Sequence, residues 1–411
     1  MQSSKKAAIG FIFVTLFVDT MGFGIIIPVL PDLIAQLKHI PVNVASTYGG
    51  LLLTVFAIVQ FFCAPIIGNL SDRYGRRPIL LLSLFGFGLD YVIQGLAPSY
   101  GWLFIGRVIA GFTWASFTTA SAYIADLSTD ETTRAKNFGM VGAAFGLGFV
   151  IGPALGSLLA VWGIRAPFYG AAVLCLLNCI YGYFVLPESL SKENRRAFDW
   201  KRANPFGSLR FLIKHQEIGR LAFSFFLIYL AAQAVQSTWN YFTIFRFGWG
   251  PGMVGISLTV VGVLIGGVQA GLTRVINPRI GNEKSIYLGL CLYTLGLVLF
   301  AFASKGWMMF AFLVPYCLGG ICGPSLQAVI SKHVGGNQQG ELQGALTSLM
   351  SLTTIIGPLM MNSTFAYFTS NKAPFYFPGI HFLIGATCML MSVVITYAVL
   401  SRERRATAAT G

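Results

Sequence analysis

Acidic side chains are scarce in this chain of 411 residues: 14 Asp and Glu stand beside 28 Lys and Arg, and all charged types together make up 10%. Soluble domains carry about a quarter charged residues, so the composition excludes an ordinary water-soluble fold. Histidine is also rare. His39, His215, His333 and His381 fall in loops or near the ends of apolar runs, so protons crossing the interior must travel on carboxylates rather than imidazoles. Cys63, Cys175, Cys179, Cys291, Cys317, Cys322 and Cys388 all lie in apolar runs, where a small hydrophobe is the expected role. Cys175 and Cys179 share a helical face, but no His or carboxylate nearby completes a metal set, and no metal is expected. The sequence has no H-E-x-x-H, no G-x-S-x-G and no phosphate-cradling glycine loop, and no extramembrane stretch large enough to carry catalysis. An enzyme is therefore not expected, nor any cofactor beyond a coupling proton. A cleavable leader is not expected either: the first apolar run follows Lys5 and Lys6 but is too long, lacks a small-residue cleavage site and precedes eleven others.

Hydrophobic residues, by contrast, make up 55% of the chain, and the mean hydropathy is +0.71. Twelve apolar runs, about 8–33, 46–70, 79–97, 102–126, 138–161, 166–186, 220–245, 252–274, 284–303, 307–330, 341–367 and 376–400, are each long enough to span a bilayer as a helix. The expected fold is an all-α membrane protein of 12 transmembrane helices, in two pseudo-symmetric six-helix halves around a central cavity. The longest polar segment separates a first half at 1–186 from a second at 220–401, with a cytoplasmic linker at 187–219 and a tail at 402–411. Within the linker, 205–215 is amphipathic and suits the inner membrane surface. A weak repeat supports the division: the fifth and eleventh runs each place Gly fourteen residues before Pro, at Gly139/Pro153 and Gly344/Pro358. Parallel repeats of this kind place a substrate site near the midplane.

The net charge of +14 orients the chain rather than marking a nucleic-acid surface. Of the 28 Lys and Arg, 22 fall on one set of ends; Lys38, Arg165, Arg246, Lys305 and Lys372 fall on the other, and Arg107 lies in the membrane. This positive-inside bias puts both termini in the cytoplasm, with the lipid bilayer and a small molecule as partners, no nucleic acid, and a monomer as the expected state.

Three charges interrupt the runs. Asp19 sits inside AAIGFIFVTLFVDTMGFGIIIPVL, Asp90 inside LLSLFGFGLDYVIQGLA and Arg107 inside WLFIGRVIAGFTWASFTTASAYIA. A charge at mid-membrane costs about 3 kcal/mol or more, so it needs a function or a partner. Two roles suit these residues: charge translocation, or a buried ion pair that only locks two helices. Desolvation favours the neutral form of a carboxylate and a nearby guanidinium favours the ionised form, so an Asp beside Arg107 can be loaded with a proton in one conformation and emptied in another. Aromatic walls with a few polar handles would form the substrate cavity. Gln60 and Phe56 in the second run, Gln94 in the third, Trp114 and Phe117 in the fourth, and Gln233, Gln236, Trp239 and Asn240 in the seventh supply both. On an ideal helix Gln233, Gln236 and Asn240 share one face, expected to line the cavity or to bond a neighbouring helix.

Residues 68–78 read GNLSDRYGRRP. Gly68 suits close helix approach, Gly75 a tight turn, and Asp72 pairing with a cation or a helix N-terminus. Gly68, Asp72, Arg73, Gly75, Arg76 and Arg77 resemble the signature loop of the major facilitator superfamily, G-x-x-x-D-[RK]-x-G-[RK]-[RK], a cytoplasmic gate. GFVIGPALGS in the fifth run resembles the antiporter signature G-x-x-x-G-P-x-x-G-G at Gly148, Gly152, Pro153 and Gly156, with Ser157 in place of the last glycine. DTMGFGIIIPVLP, IGRVIAGFTWASFTTASAYIAD, RFGWGPGMVGISLTVVG and QQGELQGALTSL resemble tetracycline-efflux antiporters of the bacterial inner membrane. The resemblance implies drug:proton exchange by alternating access, with Asp19, Asp90 and Arg107 handling proton and substrate and Gln233 and Gln269 as polar positions of the second half. The chain departs from those pumps at Tyr293, where they keep an aspartate, and at Ile265, where they keep a histidine; the substrate is therefore left open between tetracycline and another amphipathic compound. An uptake transporter for a metabolite or iron chelate on the same fold is the alternative.

Overall fold

The computed structural model describes residues 2–114, 116–127, 131–199, 212, 216–334 and 338–410; most of the amphipathic segment expected at 205–215 lies outside them. Among the described residues helix makes up most of each of the twelve apolar runs, and no strand occurs. Lipid offers no hydrogen bonds, so each run satisfies its backbone internally, and helical prolines such as Pro65, Pro153 and Pro358 are accommodated.

The first six runs form α1 (Gln2–Ile26) with a short α2 (Leu30–Lys38), α3 (Val42–Tyr74), α4 (Arg76–Leu96), α5 (Tyr100–Thr113) with α6 (Ser116–Leu127), α7 (Glu131–Leu159) and α8 (Ala166–Val185). The last six form α9 (Gln216–Gln236) with α10 (Trp239–Phe247), α11 (Pro251–Gly267) with α12 (Thr273–Ile280), α13 (Asn282–Ala301), α14 (Gly306–Leu318) with α15 (Cys322–Lys332), α16 (Gln339–Phe368) and α17 (Ile380–Thr410). Ten stretches among the described residues are long and apolar enough to cross a membrane. The fourth and eighth runs are not among them: among the described residues the fourth is divided between α5 and α6, and the eighth passes through a π turn at Val268–Leu272.

These breaks have local causes. The Thr113 hydroxyl bonds the Ile109 carbonyl at 3.0 Å, competing with the helix ladder just before α5 ends. In the seventh run Ser237 donates to the Gln233 carbonyl at 2.7 Å and receives the Asn362 amide at 3.1 Å, so the freed backbone is bonded where α9 stops. The helix restarts at Trp239, and the continuous face expected for Gln233, Gln236 and Asn240 does not exist. The tenth run passes through a 3-10 turn at Gly319–Ile321.

Contacts divide the chain into two compact units that exchange short segments relative to the sequence halves. One comprises 1–45, 55–205 and 249–262; the other 46–54, 206–248 and 263–411. In the first, Phe11, Ile12, Leu16, Leu80, Leu84, Tyr123 and Ile124 form a buried cluster joining α1, α4 and α6. In the second the core is aromatic: the Phe242 ring stands edge-on to Phe382 at 5.0 Å, and Phe300 packs on Phe382 at 5.5 Å and on Trp239 at 5.2 Å. His381 is fully buried among Phe242, Phe365 and Phe382. Edge-to-face pairs of this kind each contribute about 1 kcal/mol beyond the area they bury.

Candidate functional site

In the first unit, α4 and α5 bring Asp90 and Arg107 together. Both are buried, the guanidinium Nη2 is ion-paired with Asp90 Oδ2, and the Gln94 amide donates to Asp90 Oδ1 at 2.8 Å. Gln94, expected on the cavity wall, is instead fully buried one turn along α4 and orients the carboxylate. It does so because the second oxygen of a buried carboxyl group needs a hydrogen-bond partner once water is excluded. Aromatic rings close this site. Arg107 lies over the Phe56 ring at 5.8 Å, and Trp114, at the break between α5 and α6, packs edge-on against Phe56 at 5.4 Å and Phe87 at 5.1 Å. Phe56 and Trp114 thus stand beside the charges; the Phe117 side chain lies outside the described residues.

Asp19 lies on α1, 4% exposed, close enough to Tyr91 and Cys175 to act on them electrostatically. Tyr91 also feels Asp90 and Arg107, which makes it the side chain common to all three membrane charges. Sequence reasoning missed it, and its position next to Asp90 was the available signal. The depth of Asp19 is set by the glycine stripe of α7. A Cβ at Gly148 would stand 2.8 Å from the Phe17 carbonyl oxygen and one at Gly152 2.6 Å from that of Met21, while Gly156 abuts Ile25. Backbone therefore meets backbone on both sides of Asp19, an approach that only small residues at four-residue spacing permit. Ser157, the departure from the motif, donates to the carbonyls of Pro153 and Pro251, each at 2.8 Å.

The loop between α3 and α4 also assembles as a site. Gly75, at φ +108°, ends α3 and starts α4 in a conformation that side chains rarely adopt. Arg76 reaches Asp72, Ser71 at 2.6 Å and Asp126 at 3.3 Å. Arg77 donates to the Tyr183 carbonyl at 2.5 Å, and Arg73 is exposed over the Tyr74 ring. Gly68, expected at a close helix approach, makes none among the described residues: a Cβ there would meet nothing within 4 Å. A second residue the sequence reasoning missed is Glu188. Its carboxylate accepts the amides of Arg76 at 2.8 Å and Arg77 at 3.2 Å, capping the otherwise unbonded first turn of α4. An acid directly after the sixth run was the visible hint. The surrounding cavity of about 510 Å³ is lined by Asp72, Arg76, Asp126, Glu193, Arg195 and Arg196. Hydrogen bonds from the backbone of Glu193 itself and from Ser191 hold the Glu193 carboxyl below its usual range.

The second unit places its expected residues less as a group. Gln233 is buried against Gly357 of α16, Gln236 is exposed, and Asn240 is half-buried on the separate helix α10. Trp239 is not a cavity wall: it is 2% exposed and packed on Phe300. Gln269 is exposed on the π turn, and Gln60 of α3, in the first unit, is half-buried. Tyr293 packs against Gly319 and stands 5.0 Å from the Tyr316 ring. From residue 206 onward the only acids are Glu217, Glu283 and Glu341, each in the first turn of its helix, and Glu403, beyond the apolar part of α17, so no carboxylate enters the middle of an apolar stretch of this unit. No group of three or more metal-ligating side chains occurs among the described residues.

Two bundles of apolar helices, one holding a buried ion pair and a glycine-clamped carboxylate, define a multi-pass membrane transporter. The sequence profile of the Major Facilitator Superfamily matches residues 12–358 and 221–410, and the chain belongs to that family. It is 41% identical to the tetracycline resistance protein, class C, of Escherichia coli over 92% of this chain and 93% of that protein. It is 34% identical to the class B protein of Escherichia coli, covering 97% and 96%. Among solved structures it superposes on the human organic anion transporter MFSD10 (TETRAN) with a TM-score of 0.71, at 24% identity and covering 95% and 99%. The nucleoside transporter NupG gives 0.75 at 13% identity, covering 97% and 98%; both likenesses speak for the fold alone.

Proposed function

We propose that this protein is a proton-coupled exporter of small amphipathic compounds, working as a monomer in a bacterial inner membrane with both termini in the cytoplasm. It needs no cofactor and catalyses no covalent chemistry. The observation that carries this reading is the buried Asp90–Arg107 pair with Asp19 on the neighbouring clamped helix. Removing one partner from such a pair costs about 3–5 kcal/mol, so Arg107 is retained as the fixed cation that governs when a carboxylate beside it can hold a proton. Asp19 takes the proton and Asp90, held by Gln94 and Arg107, sets the field around it. The aromatic rings of Phe56 and Trp114 accept the apolar part of a substrate beside these charges. The Asp72–Arg76–Asp126 cluster, capped by Glu188, latches the basic side during the cycle. The resistance named for the relatives makes tetracycline the first compound to try.

Everted membrane vesicles acidified inside and loaded with a pH-sensitive dye test the reading. An export substrate added outside should release protons from the vesicle interior, and Asp19→Asn should silence the response. Proton movement accompanying substrate in the same direction would instead make the protein an uptake symporter. Substrate accumulation indifferent to the proton gradient would sink both.

A further inference from the structure

At the basic end of the second unit, where α9 begins and α17 leaves its apolar stretch, a groove of about 630 Å³ opens. Phe223, Ile395, Val399 and Leu212 form its apolar lining, and Arg220 and Arg402 stand in the same lining. Its walls are fixed. Just beyond the groove the Ser224 hydroxyl bonds Ser392 at 2.5 Å and Thr396 at 2.8 Å, zipping α9 to α17. Gly219 lets the linker pass close, since a Cβ there would stand 2.9 Å from the Leu212 carbonyl oxygen.

The chemistry of the groove is unusual for a site meant to stay empty. Phe223 is 47% exposed, and both arginines are exposed. Among the described residues neither arginine is in an ion pair; Glu217, one turn before Arg220, pairs with neither. Both lie at an end of a stretch long and apolar enough to cross a membrane. Arg220 is in the first turn of the crossing stretch Glu217–Phe247, and Arg402 is the last residue of Ile380–Arg402. Two guanidinium groups suit a phosphate, which they bind through paired N–H donors. The apolar lining beside them suits hydrocarbon. A soluble anion would leave Phe223 and Ile395 wet, and a zwitterionic lipid would leave the cations unneutralised.

We propose that this groove binds one anionic phospholipid of the leaflet on the basic side, its phosphate between Arg220 and Arg402 and its acyl chains along Phe223 and Ile395. Basic pockets between transmembrane helices on the cytoplasmic side recognise lipid headgroups by this combination. The occupant ties the start of α9, where the linker ends, to the end of α17. The proposal does not depend on what the protein transports.

Native mass spectrometry of the full chain, purified in mild detergent, stripped of lipid and titrated with dioleoyl phosphatidylglycerol, tests it. One molecule should be retained, phosphatidylcholine should not compete, and millimolar inorganic phosphate should not displace it. Each of Arg220→Gln and Arg402→Gln should weaken retention about fivefold and the double variant about twenty-five-fold, while Arg220→Lys with Arg402→Lys should keep most of it. Phe223→Ser should weaken the dioleoyl lipid and leave a dihexanoyl analogue nearly unchanged. Unaltered retention in the double glutamine variant, eluting as the wild type does, overturns the proposal; if that variant does not elute as a folded protein, unaltered retention in both single variants overturns it equally. Equal binding of phosphatidylcholine, or displacement by inorganic phosphate alone, also overturns it, the latter by showing a soluble-anion site.

Discussion

The two units bury polar chemistry in opposite ways. The first places Asp19, Asp90 and Arg107 inside apolar helices and surrounds them with supports: the Gln94 amide, the Phe56 and Trp114 rings, and the glycine stripe of α7. The second keeps its acids out of the middle of its apolar stretches and fills its interior with aromatic rings, hydroxyl zips and a histidine caged by phenylalanines. Charge inside a membrane is tolerated only with a partner and a rigid setting, whereas neutral packing asks for shape alone. One unit is therefore built around positions that admit few substitutions, and the other around volume.

Changes that erase this difference should have graded effects. Asp19→Asn should have the largest, lowering substrate-driven proton release about a hundredfold or more while thermal unfolding of the purified protein stays near wild type. Wild-type exchange by that variant would move proton coupling elsewhere. Arg107→Lys comes next. Lysine keeps the charge but lacks the planar fork and can lose its proton when desolvated, so efflux should fall about tenfold, equivalent to ~1.4 kcal/mol. Full efflux would mean that Arg107 supplies only diffuse positive charge.

The converse change brings a carboxylate into the unit that lacks one. Tyr293→Asp would face Gly319 and Tyr316 with no cation from its own helix bundle, and should cost about 3 kcal/mol, seen as a lower unfolding midpoint in detergent. An unchanged midpoint would show that this unit can hold a charge, and a gain in tetracycline efflux would make Tyr293 a determinant of substrate. The smallest effect is expected for Ser157→Gly, which restores the glycine of the motif but loses the bond to the Pro251 carbonyl: about 1 kcal/mol of stability, with transport little altered. A large loss of transport would give that hydroxyl a part in the cycle.

Legibility followed the range of the interaction. Asp72, Gly75 and Arg76 lie within five residues of one another, and their loop was readable as a unit; Glu188, which caps the same loop from 112 residues away, was not. The charges were visible because a carboxylate in an apolar run is anomalous whatever surrounds it. That Arg107 pairs with Asp90, and that Gln94 serves the pair rather than a substrate, depends on where α4 and α5 cross. The shared face of Gln233, Gln236 and Asn240 failed for a local reason: Ser237, bonded by Asn362 from α16, sits where the helix breaks.

Sequence alone determined that this protein lies in a membrane, that its apolar runs are helical and that it belongs among transporters, because a bilayer leaves the backbone few choices and the motif residues are neighbours in the chain. Only the tertiary structure decided that Asp90 is the partner of Arg107, that α7 clamps α1 around Asp19, that Trp239 is core and that the contact units exchange the segments 46–54 and 249–262. Those outcomes rest on helices meeting across long separations in sequence, where the side chain that arrives at a given depth is set by packing and not by any local pattern.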